Sequence, residues 1–318
     1  MSFWQKNGFV PSWQDSFESW WKGYPPRLLQ TGFLPRRSKP VAGVSARLAQ
    51  REDLSIVSQI WTRGYAQSSK TRCVVPVAFL DQALAKKTWE LWVAVHDDGR
   101  ILGTVVRRHL TNLELGLSIW KTAACVDYFY VVPGWKQKGV GRLLLCALHN
   151  SAKIPLCPHL ILWEGLQAGI PPVATGVYWC RERQTPAIVP SIVQVKDETE
   201  MGRAWAMCVG FLKIEGVSIV SQTFTGALET TLWKVKEGQY VAIWDTHHRS
   251  IPEDKTIGVI VGFTSFDTVD TFATQGPFGI SLCSWKIGDS WKFDSPFQWI
   301  VYNCQTGFVD KRFPCLAL

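Results

Sequence analysis

Residues 126–132 read VDYFYVV, residues 133–141 read PGWKQKGVG, and an apolar segment follows from Arg142 to Asn150. The first run has the apolar and aromatic residues of a buried β-strand. The second is a turn rich in glycine and lysine, and the third has the composition of a helix with a wide apolar face. We therefore predict a strand, a short turn and a helix in direct succession, and this unit decides the fold.

The start of the predicted helix is suited to bind a pyrophosphate group. Backbone N–H groups in the first turn of a helix have no partner within the helix, and the helix dipole favours an anion at the same place. Gly139 and Gly141 carry no Cβ, so a ligand can come close to the backbone there. Lys136 and Lys138 add positive charge.

Outward from this unit, the chain divides into two similar series of elements. The first series is predicted as a strand at 44–48, a helix at 51–64, a hairpin of strands 90–95 and 101–109, a strand at 124–132, a helix at 142–150 and a strand at 159–164. The second, from about residue 185, is predicted as a helix at 200–210 and strands at 217–224, 240–244, 257–266 and 299–302.

The composition is that of a globular protein with a sizeable core. The chain has 318 residues, of which 47% are hydrophobic and 19% are charged, and its net charge is +8. This length predicts two domains or one large one. No uncharged apolar run is long enough for a transmembrane helix, and the first residues lack the apolar core of a secretory signal, so we expect a cytoplasmic protein.

Cysteine and charge patterns exclude two other classes. The nine cysteines contain no Cys-x-x-Cys pair, which argues against zinc, and we expect free thiols and no metal. The basic residues come as scattered pairs, such as Arg36–Arg37, Lys86–Lys87 and Arg107–Arg108. Because nucleic-acid binding usually needs a concentrated basic cluster, a small polyphosphate ligand fits the charge better than a duplex.

The turn resembles the coenzyme A motif of the GCN5-related N-acetyltransferase superfamily, Arg/Gln-x-x-Gly-x-Gly/Ala. Lys136 stands at the first position, and Gly139 and Gly141 match the two small residues. The resemblance implies that the pyrophosphate of an acyl-CoA lies on the backbone of residues 137–141. It also implies a splayed strand at about 126–132 that holds the pantetheine and the thioester.

The whole chain, in order, resembles the eukaryotic-type protein N-myristoyltransferase family within that superfamily. The matching segments are Phe3-Trp4, residues 125–131 (CVDYFYV), residues 168–181, residues 262–268 (GFTSFDT), Gly288-Asp289, Tyr302-Asn303 and the terminal residues 315–318 (CLAL). The resemblance implies an α+β protein of two tandem GNAT-like folds, with a mixed central sheet flanked by helices and a pseudo-twofold axis. Residues 1–43 would form an arm over the coenzyme A site, 44–184 the acyl-CoA domain and 185–318 the domain for the acceptor peptide.

The same resemblance implies an activity and its residues. A long-chain acyl group (myristoyl) would pass from acyl-CoA to the N-terminal glycine amine of a protein, in a monomeric enzyme. Backbone N–H groups at Tyr128 and Phe129 would form the oxyanion hole, and the C-terminal carboxylate of Leu318 would be the base. Coenzyme A would be held by Phe3, Trp4, Val131, Lys136, Gln137, Lys138, Gly139, Val140 and Gly141. The acceptor would be held by Tyr65, Tyr178, Trp179, Ser265, Phe266 and Asp289.

Two departures from the family leave alternatives open. Residues 65–70 (YAQSSK) replace an acidic loop that receives the positive end of the peptide, and Cys180 replaces a histidine. Lys70 and Arg72 make this loop basic, which would suit acidic acceptors. One alternative is therefore an acetyltransferase that uses acetyl-CoA on an amine. The other is a non-catalytic relative that binds acyl-CoA or a peptide.

Overall fold

The structure, a computed structural model, describes residues 27–28, 39–66, 70–115, 118–151, 157–164, 174–184, 189–217, 219–224, 229–251, 253–301 and 304–305. Five α-helices lie in this described part: α1 (Leu54–Ala66), α2 (Val77–Ala85), α3 (Val140–Asn150), α4 (Glu198–Ile214) and α5 (Phe266–Gln275).

The strands of the same residues form one large sheet and one small one. In chain order they are β1 (Arg27–Leu28), β2 (Val44–Leu48), β3 (Thr71–Cys73), β4 (Trp89–His96), β5 (Ile101–Leu115), β6 (Ser118–Val131), β7 (His159–Glu164), β8 (Ala174–Glu182), β9 (Val193–Gln194), β10 (Ile219–Ser221), β11 (Thr230–Lys236), β12 (Gln239–Ser250), β13 (Thr256–Phe263), β14 (Ile280–Cys283), β15 (Lys292–Val301) and β16 (Cys304–Gln305). β1 pairs with β16, and the other fourteen form the large sheet.

The order of the large sheet shows a twofold repeat. It runs β2-β4-β5-β6-β7-β15-β8-β14-β13-β12-β11-β9. From one edge the order is β2-β4-β5-β6-β7-β15, and from the other edge it is β9-β11-β12-β13-β14-β8, so each strand of one series has its counterpart at the same place in the other. Within it β6 and β7 are parallel, as are β13 and β14, and the remaining pairs are antiparallel. A helix crosses over between each parallel pair, α3 in the first half and α5 in the second. The predicted α+β fold with a mixed sheet flanked by helices is confirmed.

The two halves of the chain exchange two pairs of strands. β8 follows β7 in the chain but pairs with β14, while β15 follows β14 and pairs with β7. Likewise β3 pairs with β12 of the second half, and β10 pairs with β5 of the first half. Each half is therefore completed by segments of the other.

The core lies on both faces of this sheet. In the first half, buried side chains of α3 pack on one face and those of α1 and α2 on the other, represented by Leu144 and Trp61. In the second half, a larger apolar core surrounds Trp205 of α4 and Phe272 of α5. Burying such side chains stabilises the fold by roughly 2 kcal/mol each.

Several sequence expectations need correction. The strand predicted at 257–266 ends at Phe263, because the Ser265 hydroxyl accepts a hydrogen bond from the Thr268 N–H and starts α5. The strand predicted at 217–224 is only the three-residue β10. Helix α2, which begins after Pro76, was not predicted at all.

Candidate acyl-CoA site on strand β6

A β-bulge interrupts β6 at the residues predicted for the oxyanion hole. The strand pairs Thr104 with Tyr130 and Val106 with Asp127, so Tyr128 and Phe129 together lie opposite one residue of β5. Tyr128 has a φ of 46°, in the left-handed region that a bulky residue adopts only under constraint. The bulge turns the backbone of this segment away from the regular ladder.

A side-chain relay holds the bulge in place. The Trp61 indole N–H donates to Thr104 Oγ1 at 2.9 Å, and the Thr104 hydroxyl donates to the Tyr128 carbonyl oxygen at 2.9 Å. The Tyr128 ring stacks on Trp61 with 4.4 Å between ring centroids and lies 5.2 Å from Trp89. These contacts fix both the backbone and the ring of Tyr128.

Strands β6 and β7 separate just before the bulge. Within the described residues they pair only through Ala124–His159 and Cys125–Leu160. From there β7 pairs along β15, while β6 continues along β5 as far as Val131. The edge of β6 over residues 126–131 is therefore turned toward a wedge between the two strands.

The predicted turn lies at the end of this wedge. Residues 133–135 form a single 3₁₀ turn, and Gln137 and Gly139 have φ angles of 65° and 92°. Gly139 is the N-cap of α3 and no side chain caps the helix there. Lys136, Gln137, Lys138 and Gly139 are exposed, and the buried Val140 anchors the first helical turn.

This geometry gives the turn the properties of an anion site. The first N–H groups of α3 point away from the helix without intrahelical partners, and its first turn contains no acidic residue. The Lys138 ammonium lies 5.0 Å from the centre of the Trp135 ring, which keeps its charge beside the turn. Val131, at the end of β6, lies opposite Gly103 and packs against the apolar cluster under α3.

A buried ionic cluster beside the bulge was missed by the sequence analysis. Arg108 Nη1 donates to Glu229 at 2.8 Å, and its other amino group pairs with Asp127, the residue before Tyr128. Only 3% of the Arg108 side chain and 1% of the Glu229 side chain are exposed. Burial raises the pKa of Glu229 to about 7, although Arg108 opposes that shift. A signal was present, because Arg108 and Asp127 are charged residues within apolar strands.

The charge pattern is corrected at the same place. Arg107 and Arg108, predicted as one of the scattered basic pairs, are both buried. Arg107 pairs with Glu90 and donates to the Leu148 carbonyl oxygen on the α3 face, while Arg108 pairs on the opposite face. Neither guanidinium is available to a polyphosphate at the surface.

Thiols near the bulge are not nucleophiles. Burial raises the pKa of Cys73 to about 12 and that of Cys125 well above its ordinary value. Both therefore stay protonated at neutral pH. Within the described ranges no group of three or more His, Cys, Asp or Glu side chains is arranged to hold a metal ion, and no helix there is long and apolar enough to span a membrane.

The predicted acceptor residues lie in three separate places. Tyr65 lies at the end of α1. Its ring centroid is 5.7 Å from that of Tyr130 and 6.0 Å from that of His248, so Tyr65 belongs to the surroundings of the bulge. Ser265 caps α5, and the Phe266 ring packs on Phe263 with 5.5 Å between ring centroids.

The remaining acceptor residues lie along β8 and the loop after β14. Tyr178 is buried and stacks on Phe297 at 4.3 Å. Trp179 is half-buried, with the Lys286 ammonium 5.6 Å from its ring centre, and Lys286 also pairs with the exposed Asp289. Phe3, Trp4 and Leu318 lie outside the described residues.

Comparisons with known proteins give no match by sequence and clear matches by structure. No family model and no curated protein matches the chain. A crystal structure of Saccharomyces cerevisiae N-myristoyltransferase with bound myristoyl-CoA superposes with a TM-score of 0.70 at 10% identity, covering 98% of this chain and 93% of that one. Another structure of that enzyme, with myristoyl-CoA and inhibitors, gives 0.66 at 10% identity over 91% and 90% of the two chains. A Pyrococcus horikoshii protein classed as an acetyltransferase gives 0.50 at 10% identity over 89% and 96%. The chain thus has the fold of N-myristoyltransferase, as the sequence resemblance implied.

Proposed function

We propose that this protein is an acyl-CoA-dependent N-acyltransferase. One observation carries the proposal: the wedge between β6 and β7 runs from the bulge to the uncapped start of α3. An acyl-CoA is a thioester joined by an extended pantetheine to a pyrophosphate, so its parts match this sequence of features. The yeast enzyme of the same fold is described with myristoyl-CoA bound.

The acyl-CoA half would comprise residues 44–184. Backbone N–H groups of residues 137–141 hold the pyrophosphate, assisted by the charges of Lys136 and Lys138. The edge of β6 that faces the wedge, up to Val131, would hydrogen-bond the pantetheine. In the same proposal residues 1–43, with Phe3 and Trp4, cover the coenzyme, and residues 185–318 bind the acceptor.

The acyl transfer itself would take place at the bulge. The acceptor amine attacks the thioester carbonyl carbon and the C–N bond forms. The C–S bond breaks, and the coenzyme A thiolate leaves with the proton that the new amide nitrogen loses. Backbone N–H groups at Tyr128 and Phe129 stabilise the negative oxygen of the intermediate, and Thr104 keeps the bulge in the required geometry. The carboxylate of Leu318 takes the proton of the incoming ammonium.

The finer proposal is transfer of a myristoyl group to an N-terminal glycine. It is supported by the fold and by the segments that resemble the N-myristoyltransferase family. Tyr65 and Trp179 are half-buried aromatic residues that an acceptor peptide can contact. The glycine pair of the turn, Gly139 and Gly141, favours the second candidate, an acetyltransferase that acts on an amine.

Calorimetry with the full chain tests this proposal. We expect coenzyme A, acetyl-CoA and myristoyl-CoA to bind, and myristoyl-CoA to bind more tightly than acetyl-CoA, because each buried methylene contributes about 0.8 kcal/mol. Transfer is then measured on a glycine-led peptide and on the same peptide with an acetylated N-terminus, which must be inert. Equal or tighter binding of acetyl-CoA would favour the acetyltransferase, and binding without transfer would favour the non-catalytic relative. No binding of any coenzyme A compound contradicts the proposal.

A further inference from the structure

A second polar site lies beside the bulge, where the two halves meet. One guanidinium, that of Arg108, joins Asp127 of the first half to Glu229 of the second. The same guanidinium lies 5.2 Å from the centre of the Trp244 ring. The junction cluster consists of Arg108, Asp127, Tyr128, Glu229, Trp244 and His247.

The junction cluster is short of positive charge. When Glu229 is ionised, above about pH 7, Arg108 supplies one positive charge against the two carboxylates of Asp127 and Glu229. Arg108 and Glu229 are almost completely buried, and an uncompensated buried charge is strongly unfavourable. A ligand that brings a positive charge would therefore be stabilised here.

The cluster also contains unpaired polar atoms. Among the described residues, no hydrogen-bond partner is present for the buried atoms Arg108 Nε, Tyr128 Oη, Glu229 Oε1, Trp244 Nε1 and His247 Nε2. The Trp89 indole also favours the charged form of Glu229, although Oε1 has no hydrogen-bond partner among the described residues. A buried polar atom without a partner is destabilising, so several in one cluster indicate a place for a ligand.

The loop that the family uses for a positive ligand does not serve that role here. Tyr65 to Lys70 contains no acid, and Lys70 is exposed. Arg72 pairs with Asp254 at 2.6 Å, so this acid is already neutralised by its own chain. The buried acids of the junction cluster are therefore the better counter-ions for an ammonium group.

We propose that the junction cluster receives the protonated amine of the acceptor, with the Glu229 carboxylate as its counter-ion. This inference rests on the proposed function and adds the group that recognises the acceptor. The ligand class is a primary ammonium whose neighbouring group is uncharged, since the donors Arg108 Nε and Trp244 Nε1 can bind a carbonyl or hydroxyl oxygen. An acidic group next to the amine would be repelled by Asp127, so acidic acceptors are disfavoured.

Titration of the coenzyme A-saturated protein with n-butylamine and n-butanol, followed by ligand-observed NMR, tests this inference. The two probes have the same shape and differ in charge. We expect the wild type to bind the amine at least about tenfold more tightly than the alcohol, and Glu229→Gln to reduce that preference to about twofold or less. The control is Glu90→Gln, which breaks the Arg107–Glu90 pair on the opposite face of β5. We expect this variant to keep the preference for the amine over the alcohol.

A pH series on the wild type gives a second, independent measurement. Glu229 interacts electrostatically with Arg108 of β5 and with Asp127 and Tyr128 of β6. Cys125 of β6, Cys73 of β3 and His247 of β12 interact with Arg108 or Tyr128, and Asp245 of β12 interacts with Cys73 and His247. Burial raises the pKa of Glu229 to about 7 and lowers that of His247, so Glu229 gains a proton between pH 8 and pH 6. The preference for n-butylamine, which stays protonated over this range, should therefore fall as the pH is lowered.

The inference is overturned by any of three results. They are a wild type without preference for the amine, a Glu229→Gln variant that keeps it, and an equal loss in Glu90→Gln. If Glu229→Gln does not fold, a preference in the wild type that stays constant from pH 8 to pH 6 overturns it instead. Failure of the proposed function is recognised separately, because it appears as absent coenzyme A binding, whereas the amine preference can then be measured without coenzyme A.

Discussion

The two parallel crossovers of the sheet have the same topology and different beginnings. In the first half, eight residues (132–139) connect β6 to α3, and the helix starts at Gly139 without a side-chain cap. In the second half, two residues connect β13 to α5, and Ser265 caps the helix. A helix that is capped by its own chain has one donor fewer to offer a ligand, so the first crossover leaves more backbone N–H groups for an anion than the second.

The bulges of β6 and β13 also differ, in backbone conformation and in surroundings. β13 also carries a bulge, at Val261, where Ala242 pairs with Gly262 and Ile243 pairs with Ile260. Val261 is buried in the core and is not among the residues with positive φ. Near the end of β13, Trp285 lies edge-on to Phe263 at 5.3 Å, so aromatic packing occupies this end of the strand. The bulge of β6 thus has a constrained backbone and lies beside the wedge, whereas the bulge of β13 lies inside a packed core.

Gly139→Ala should have the largest effect on this comparison. A Cβ at φ 92° is strained, would lie 3.2 Å from Val41, and would stand where the ligand approaches the backbone. We expect coenzyme A to bind about 100-fold more weakly by calorimetry. The control is Gly99→Ala in the β4–β5 hairpin, where φ is 85° and nothing lies within 4 Å. An equal loss of binding in both variants would mean that strain, and not the site, is responsible.

Thr104→Val should slow acyl transfer about tenfold while coenzyme A binding stays unchanged, because the hydroxyl positions the bulge and does not touch the pyrophosphate turn. The Trp61 indole and the Tyr128 carbonyl would each lose a partner, at about 1–3 kcal/mol of stability. The matched control in the second half is Thr246→Val, which removes a hydroxyl that donates to the Ile257 carbonyl oxygen at 2.7 Å. Single-turnover rates that fall equally in both variants would contradict a role for Thr104 in positioning.

The elements that could be predicted from the sequence are those whose pattern lies within one short segment. β2 and β7 have the predicted bounds, and α3 begins two residues before its prediction. Their apolar patterns are complete within about ten residues, so a single segment carries the information. α5 was missed because the apolar run of β13 was extended across the Ser265 cap.

Pairings between distant residues could not be predicted in this way. The exchange of β3 and β10 between the halves depends on partners far apart in the chain. The Arg108–Glu229 ion pair joins residues 121 positions apart. The sequence showed that Arg108 and Asp127 are unusual in apolar strands, but only the fold brings Glu229 to them.

Ser265→Ala tests whether the second crossover is structural. Loss of the cap should reduce the free energy of unfolding by about 1 kcal/mol in denaturant titrations. Coenzyme A binding and the acceptor KM should not change, because the Ser265 hydroxyl is already engaged with Thr268. An acceptor KM that rises severalfold without a loss of stability would instead support the peptide-binding role that the family resemblance implied.

The two exchanged strands allow the smallest and most specific test. Val74 N–H donates to the His247 carbonyl oxygen at 2.7 Å after β3, and Gln222 N–H donates to the Asn112 carbonyl oxygen at 3.0 Å after β10. His247 and Asn112 both have positive φ, at 55° and 50°, so the two connections are equivalent. The two connections differ in their histidines: His248 of β12 pairs with Cys73 of β3, whereas residues 113–115 of β5, which pair with β10, include Glu114 and no histidine.

His248 should make the β3 connection sensitive to acid. Burial, and then the neighbouring His247, lower the pKa of His248 to about 4 against the pull of Asp245. A histidine whose pKa is lower in the folded state stabilises the fold above its ordinary pKa, and that contribution is lost as the pH falls toward the folded value. Between pH 7.5 and pH 5.5 we expect the wild type to lose about 1 kcal/mol relative to His248→Gln. Hydrogen exchange should show faster opening of β3 than of β10 at pH 5.5 in the wild type, because none of the residues that pair with β10 is a histidine. Equal acid sensitivity of the two strands, or of the wild type and the variant, would show that this difference between the halves has no energetic consequence.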